Sequence, residues 1–283
     1  MNNSKTIFSL LVQRLFKRLE FKVAVTASLS FAVVAFTETC MHFFGSDVGD
    51  LPSPAYAWAW NMGAMQVNSM RVYLYFFMPV LSALAFSGSA RDDIKRGIAG
   101  CLASRSSLRS YLVANIVLTY VAGFLLVFGM LLLLQLLAFV AFPVDGVYGG
   151  YLDTPIYIEV IPDDGLMHDL RMDSPYLYNA VFAIWSAGWA GACSLISFGL
   201  TFIVGRHKAL PLALPTLVSL ALFQFAPMVV DSASGYLHFP YCYPDIASQA
   251  GDSVYFAGLL LIMTVLSLAA SFAPFAKGKD VLL

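Results

Sequence analysis

Residues Leu112–Phe142 read LVANIVLTYVAGFLLVFGMLLLLQLLAFVAF, 31 consecutive positions without one charged side chain. About 20 apolar residues cross the ~30 Å hydrocarbon core of a bilayer as a helix. As a helix this run would extend roughly 46 Å at ~1.5 Å per residue, so it tilts or projects beyond the lipid. Working outward, five more apolar runs flank it: Val23–Phe44 and Val72–Ser87 before, then Asn179–Val204, Leu210–Val230 and Val254–Phe272 after. Most reach spanning length; the second, marked off by Arg71 and Arg91, is tight.

The charges between the runs alternate in sign. Lys5, Arg14, Lys17, Arg18 and Lys22 precede the first run, and Arg91, Lys95, Arg96, Arg105 and Arg109 follow the second. Arg206 and Lys208 follow the fourth and Lys277 and Lys279 the sixth, whereas only Arg71 and Arg171 fall on the other side. Fourteen of sixteen basic residues on one side place both termini in the cytoplasm by the positive-inside rule. The expected fold is an all-α membrane protein of six transmembrane helices, preceded by an amphipathic in-plane helix.

Composition agrees. The chain is 59% hydrophobic, with mean hydropathy +0.76, far outside soluble globular composition. Its basic residues are spread over four short juxtamembrane segments, which excludes a nucleic-acid partner of the usual patch-bearing kind. The first run is longer than a signal-peptide core and no A-x-A-like site follows it, so it reads as a retained anchor. Of four cysteines, Cys101 is expected in the cytoplasm and Cys193 inside the fourth span. Cys40 and Cys242 both fall near the outer face, where a disulfide is chemically permitted.

Two regions follow from this pattern: an amphipathic N-terminal helix over 1–22 and a six-span transmembrane body over 23–283. At ~100° per residue Phe8, Leu11, Val12, Leu15, Phe16 and Leu19 share an arc, with Gln13, Lys17 and Glu20 opposite. Arg14 and Arg18 flank that arc, where their stems can lie along lipid and their heads reach phosphate. The cytoplasmic connection 89–110 is helix-compatible and too short for a catalytic domain. External loops are expected over 45–70, 143–177 and 231–253. The first carries Pro52, Pro54, Trp58 and Trp60, which suits an interfacial aromatic belt, and the second a β-prone patch, Ile156–Ile161.

The chain has no G-x-x-x-x-G-K-[ST] phosphate loop, no H-E-x-x-H, no C-x-x-C and no G-x-S-x-G. No catalytic residue, metal site or cofactor is expected on it. Glu38 is the one acid inside a span, with His42 a turn later. It reads either as part of a proton or substrate path with His42, or as half of an ion pair with Arg71 closing the first two helices; its place near the span's outer end favours the pair. Ser186, Ala187, Gly188, Ala190, Gly191 and Ala192 give the fourth span a close-packing face. Pro211, Pro215 and Pro227 break up the fifth, with Phe223, Gln224 and Phe225 as pathway candidates.

The run Phe86–Ser–Gly–Ser–Ala–Arg–Asp–Asp–Ile–Lys–Arg–Gly97, followed by Leu102, Ser104–Arg105 and Arg109–Ser–Tyr–Leu112, resembles the permease subunits of type-2 ATP-binding-cassette exporters. Asp93, Gly97, Leu102, Arg109, Tyr111 and Leu112 carry the match; the family's usual Pro before the Arg is missing, and Asn115 lies near where a Lys is common. The resemblance implies a multi-pass subunit of a bacterial plasma membrane. It implies Asp92, Asp93, Arg96, Gly97, Leu102, Arg105 and Arg109 as the segment that couples to a separate cytoplasmic ATPase, which would hold ATP and Mg. A second permease copy or a sister permease would complete the pathway. The cargo class stays open among peptide antibiotic, drug, lipid and glycan precursor. A ligand-capturing immunity or sensor subunit, and a proton-coupled transporter using Glu38 and His42, are the alternatives of other classes.

Overall fold

A computed structural model of the chain describes residues 2–58, 68–105, 107–146, 167–204, 209–229 and 253–276. Trp60, Cys242, the Ile156–Ile161 patch and most of the 143–177 and 231–253 loops lie outside those residues. All regular structure among the described residues is helical: α1 Asn2–Lys17, α2 Leu19–His42, α3 Asn68–Val72, α4 Met78–Phe86, α5 Ser89–Lys95, α6 Ile98–Arg105, α7 Leu108–Ala141, α8 His168–Asp173, α9 Pro175–Ile203, α10 Ala209–Val229, α11 Ser253–Ser271 and α12 Ala273–Ala276. Three of them, α2, α7 and α9, are long and apolar enough to cross a membrane. The other three expected spans correspond to the composite α3–α4 segment, α10 and α11.

At the centre stands α9, packed on α7, α11, α4 and α10. Its small residues explain why so many helices can reach it. Ser186, Ala187 and Ala190 are completely buried, and a Cβ at Gly191 would lie 2.7 Å from the Tyr120 ring of α7. Gly123 of α7 returns the contact, since a Cβ there would meet Ser194 Oγ and come 3.1 Å from the Ala190 carbonyl. On the other flank Gly199 lies against the backbone of Ala270 on α11. Removing the side chain at these positions brings the axes close enough for dispersion contacts along whole helices. α2 uses the same device, burying Ala24, Ser28, Ala32, Ala35 and Thr39 along one stripe.

The tight second span is longer than its apolar run. α3 and α4 are joined by a π-helical segment, Tyr73–Phe77, in which the Met78 N–H reaches the Tyr73 carbonyl. Pro79 follows directly. It offers no N–H to the preceding turn and its ring crowds the carbonyl four residues back, so the wider turn relieves it.

The segment between α2 and α3 departs from expectation. Trp58 is not in an interfacial belt: it is 1% exposed, and its Nε1–H donates to the Leu131 carbonyl of α7 at 3.0 Å. Gln135 Nε2 donates to the Pro54 carbonyl, and Asn179 Nδ2 to both the Ala55 carbonyl and Gln135 Oε1. These side chains supply the partners that irregular backbone needs when buried among apolar helices. Residues 52–58 therefore form a plug between α7 and α9.

Candidate functional site

α1, α5, α6 and the first turn of α7 meet at the basic end of the bundle. The chain reaches this arrangement through two sharp turns. Arg18, with extended backbone (φ −70°, ψ 136°), separates α1 from α2. Gly97, at φ +72°, separates α5 from α6, and its N–H bonds the Ile94 carbonyl. Glycine adopts that left-handed conformation without the Cβ clash of other residues, which explains a glycine after a short helix here. Ser107 then starts α7 as its N-cap, accepting from the Ser110 N–H at 3.1 Å.

Asp93 is the junction. It is 1% exposed, and both its oxygens accept from the two Nη groups of Arg14 on α1. The Tyr111 hydroxyl of α7 donates to the same carboxylate at 2.9 Å. A forked guanidinium and a phenol thus satisfy a carboxylate that has left water. The hydrogen bonds that Arg14 donates to Asp93 raise its pKa against the desolvation that lowers it, so the cation persists. One turn away, Ser89 Oγ donates to Asn115 Oδ1 at 3.0 Å, while Asn115 Nδ2 donates to the Tyr111 carbonyl. Both ends of α5 are consequently fastened to the head of α7. Arg18 adds a third tie, donating to Asp92 at 2.8 Å, with its guanidinium 6.0 Å from the Phe86 ring centroid.

This corrects the expectation that Arg14 extends its head to lipid phosphate, since its guanidinium turns inward to Asp93; Arg18 gives only its Nη2 to the acids. It also divides the candidate coupling residues. Asp92 and Asp93 face α1, and Leu102 is half-buried against the core. Arg96, Gly97 and Arg109 are exposed, together with Lys95 and Cys101. The Arg105 side chain lies outside the described residues. What the sequence could not reveal was the partnership of Arg14 with Asp93, 79 residues apart.

On the opposite side of α1 lies an apolar groove of about 530 Å³, closed by α2 and α7. Phe8, Val12 and Phe16 line it from α1, Phe21 and Val25 from α2, and no charged residue takes part. The buried row of α1 is Ile7, Leu11 and Leu15, so Phe8 and Phe16 of the expected apolar arc sit at its exposed edge.

The remaining candidates are not brought to this site. Glu38 accepts from the N–H and the hydroxyl of Ser69 at 3.2 and 2.7 Å, tying α2 to the start of α3. The Arg71 side chain lies outside the described residues, as do those of Phe223, Gln224 and Phe225, although their backbone belongs to α10. Cys40 is a free thiol. No group of three or more His, Cys, Asp or Glu that could hold a metal occurs among the described residues. Compared with protein-family models, curated proteins and solved structures, the chain matches none.

Proposed function

We propose that this chain is the six-span permease subunit of an ATP-binding-cassette exporter, with both termini in the cytoplasm of a bacterial cell and no nucleotide site of its own. The observation that carries the reading is the build of the 89–105 connection. Two short helices turn on Gly97 and are bound through Asp93 to α1 and to the head of a helix 34 residues long. A displacement applied to α5 and α6 passes into α7 without slack, which is the mechanical requirement for coupling to a separate motor. Lys95, Arg96 and Arg109 offer that motor, an ATPase chain binding ATP and Mg, an exposed basic face. Two copies, or one copy and a sister permease, enclose the path, and the cargo is exposed alternately to the two sides. The 14-to-2 distribution of basic residues supports the orientation.

The test is co-purification with the ATP-binding-cassette ATPase produced alongside it. Arg96→Glu is expected to lower ATPase retention at least fivefold while the subunit accumulates normally, because Arg96 is exposed. Retention at the level of the unchanged chain overturns the docking assignment. Uptake into vesicles driven by an imposed pH gradient without ATP, and lost in Glu38→Gln, overturns the exporter reading in favour of a proton carrier.

A further inference from the structure

The acid ties described above leave two guanidinium donors unused, on two arginines that line one cleft. Arg91 is 9% exposed, and its buried Nη2 has no hydrogen-bond partner among the described residues. The Nε of Arg18 is likewise buried and without a partner, although its Nη2 is committed to Asp92 and, at 3.4 Å, to Glu20. Arg18 and Arg91 both line a cavity of about 150 Å³ beneath the α1–α2 corner. Its lining combines the hydroxyls of Ser87 and Thr201 and the acids Glu20 and Asp92 with the apolar Leu84, Pro211 and Leu212.

This cavity shares Arg18, Glu20 and Asp92 with a wider opening of about 480 Å³ that also contains Arg14, Lys17 and Arg96. The two make one cleft lined by five cations and three carboxylates. Arg14 is spent on Asp93, and Arg18 is half spent on Asp92; Arg91 has no acid within ion-pair distance among the described residues. A buried guanidinium without a counter-charge is costly unless an anion occupies its site. The hydroxyls of Thr201 and Ser87 in the same lining carry no counter-charge and do not accept from Arg91 Nη2.

We infer that this cleft is a binding site for a phosphate-type oxyanion, held between Arg91 and the free edge of Arg18. Planar guanidinium forks suit the oxygens of a phosphate or phosphodiester, and the ligand's charge supplies what Arg91 lacks. The apolar wall beside the two arginines fits the glycerol and first methylenes of a membrane phospholipid, and the open side admits free phosphate. The inference does not rest on the transport reading.

The experiment uses the purified full-length chain. Its thermal midpoint is followed in detergent as sodium phosphate replaces sodium chloride at equal ionic strength, and in vesicles of phosphatidylcholine with and without phosphatidylglycerol. Binding to the folded state raises the midpoint by several degrees once the ligand exceeds its dissociation constant about a hundredfold. A rise in both arms identifies a small phosphate site; a rise only with phosphatidylglycerol identifies a lipid headgroup site. Arg91→Met is expected to abolish the rise and to leave the anion-free midpoint unchanged or higher, because an unpartnered buried cation is removed. Lys95→Met, at an exposed position outside the cleft lining, is expected to keep the rise. No rise with either anion, or a rise that survives in Arg91→Met, overturns the inference. Should the methionine variant not accumulate, Arg91→Lys carries the test: the rise is expected to need at least tenfold more ligand, and a rise at the original concentration overturns it.

Discussion

Asp93 and its two donors show how unequal the partners in a buried pair can be. Asp93 is 1% exposed, whereas the Arg14 side chain is 31% exposed and can turn to water when released. Arg14→Ala leaves a carboxylate in the interior with only Tyr111, and is expected to cost about 2–3 kcal/mol, less than for a fully buried pair because one partner is part-solvated. Asp93→Asn retains an acceptor for Tyr111 and frees a cation that rehydrates, so it is expected to cost less. Unfolding of the purified chain in mixed micelles checks the order; an equal or reversed cost removes Asp93 from its place as the junction. Gly97 offers a cleaner case. Nothing lies within 4 Å of a Cβ built there, so Gly97→Ala tests backbone strain alone at φ +72°. The expected loss is ~1–2 kcal/mol, with Gly97→Asn closer to the glycine, and no difference between the two variants would contradict a left-handed turn.

Between elements, contact distance matters more than residue chemistry. A Cβ at Gly199 would stand 2.0 Å from the Ala270 carbonyl oxygen, a backbone atom that cannot rotate away. Gly199→Ala is therefore expected to push α11 off α9 and to cost about 3 kcal/mol, the upper end for overpacking. The same change at Gly129, with nothing within 4 Å, is expected to be silent. Comparable yields and melting points for the two variants would disprove the close approach. Much of this level was legible beforehand. The uncharged run at Leu112–Phe142 foretold a helix that overshoots the bilayer, and α7 does extend to Leu108 on the charged side. The small residues of Ser186–Ala192 foretold a packing face because period and size are local properties. The π turn at Tyr73–Phe77 escaped, since its cause is one proline whose effect depends on what the helix packs against. The plug at residues 52–58 escaped as well, because tryptophans that follow a pair of prolines look alike in a belt and in a core. The Arg14–Asp93 pair was hidden for another reason: each residue alone has an ordinary surface composition, and only the fold brings them together.

For the molecule as a whole, sidedness is the first thing to measure. Single cysteines at Ser106 and Ser174, in a chain stripped of its native four, are expected to react with impermeant reagents from opposite sides of the membrane. Ser106 precedes the cap of α7 and Ser174 precedes α9, so the pair brackets a single expected crossing, that of α7. Reaction of both in intact cells would end the six-span arrangement. The plug at Trp58 and the glycine contacts of α9 then have a joint consequence. With Gly123 against Ala190, Gly191 against Tyr120 and Gly199 against Ala270, α7, α9 and α11 are meshed like the teeth of a stiff frame. In the proposed exporter such a frame would move as one body. Its joints are the extended residue at Arg18 and the wide turn before Pro79, both on helices that flank it. A tilt begun at α5 would thus arrive at the far end of α7 as a lever's stroke, at the level where the Trp58 indole is pinned to Leu131. In the proposed exporter the plug would then work as a latch, released only when the Trp58, Gln135 and Asn179 hydrogen bonds give way together.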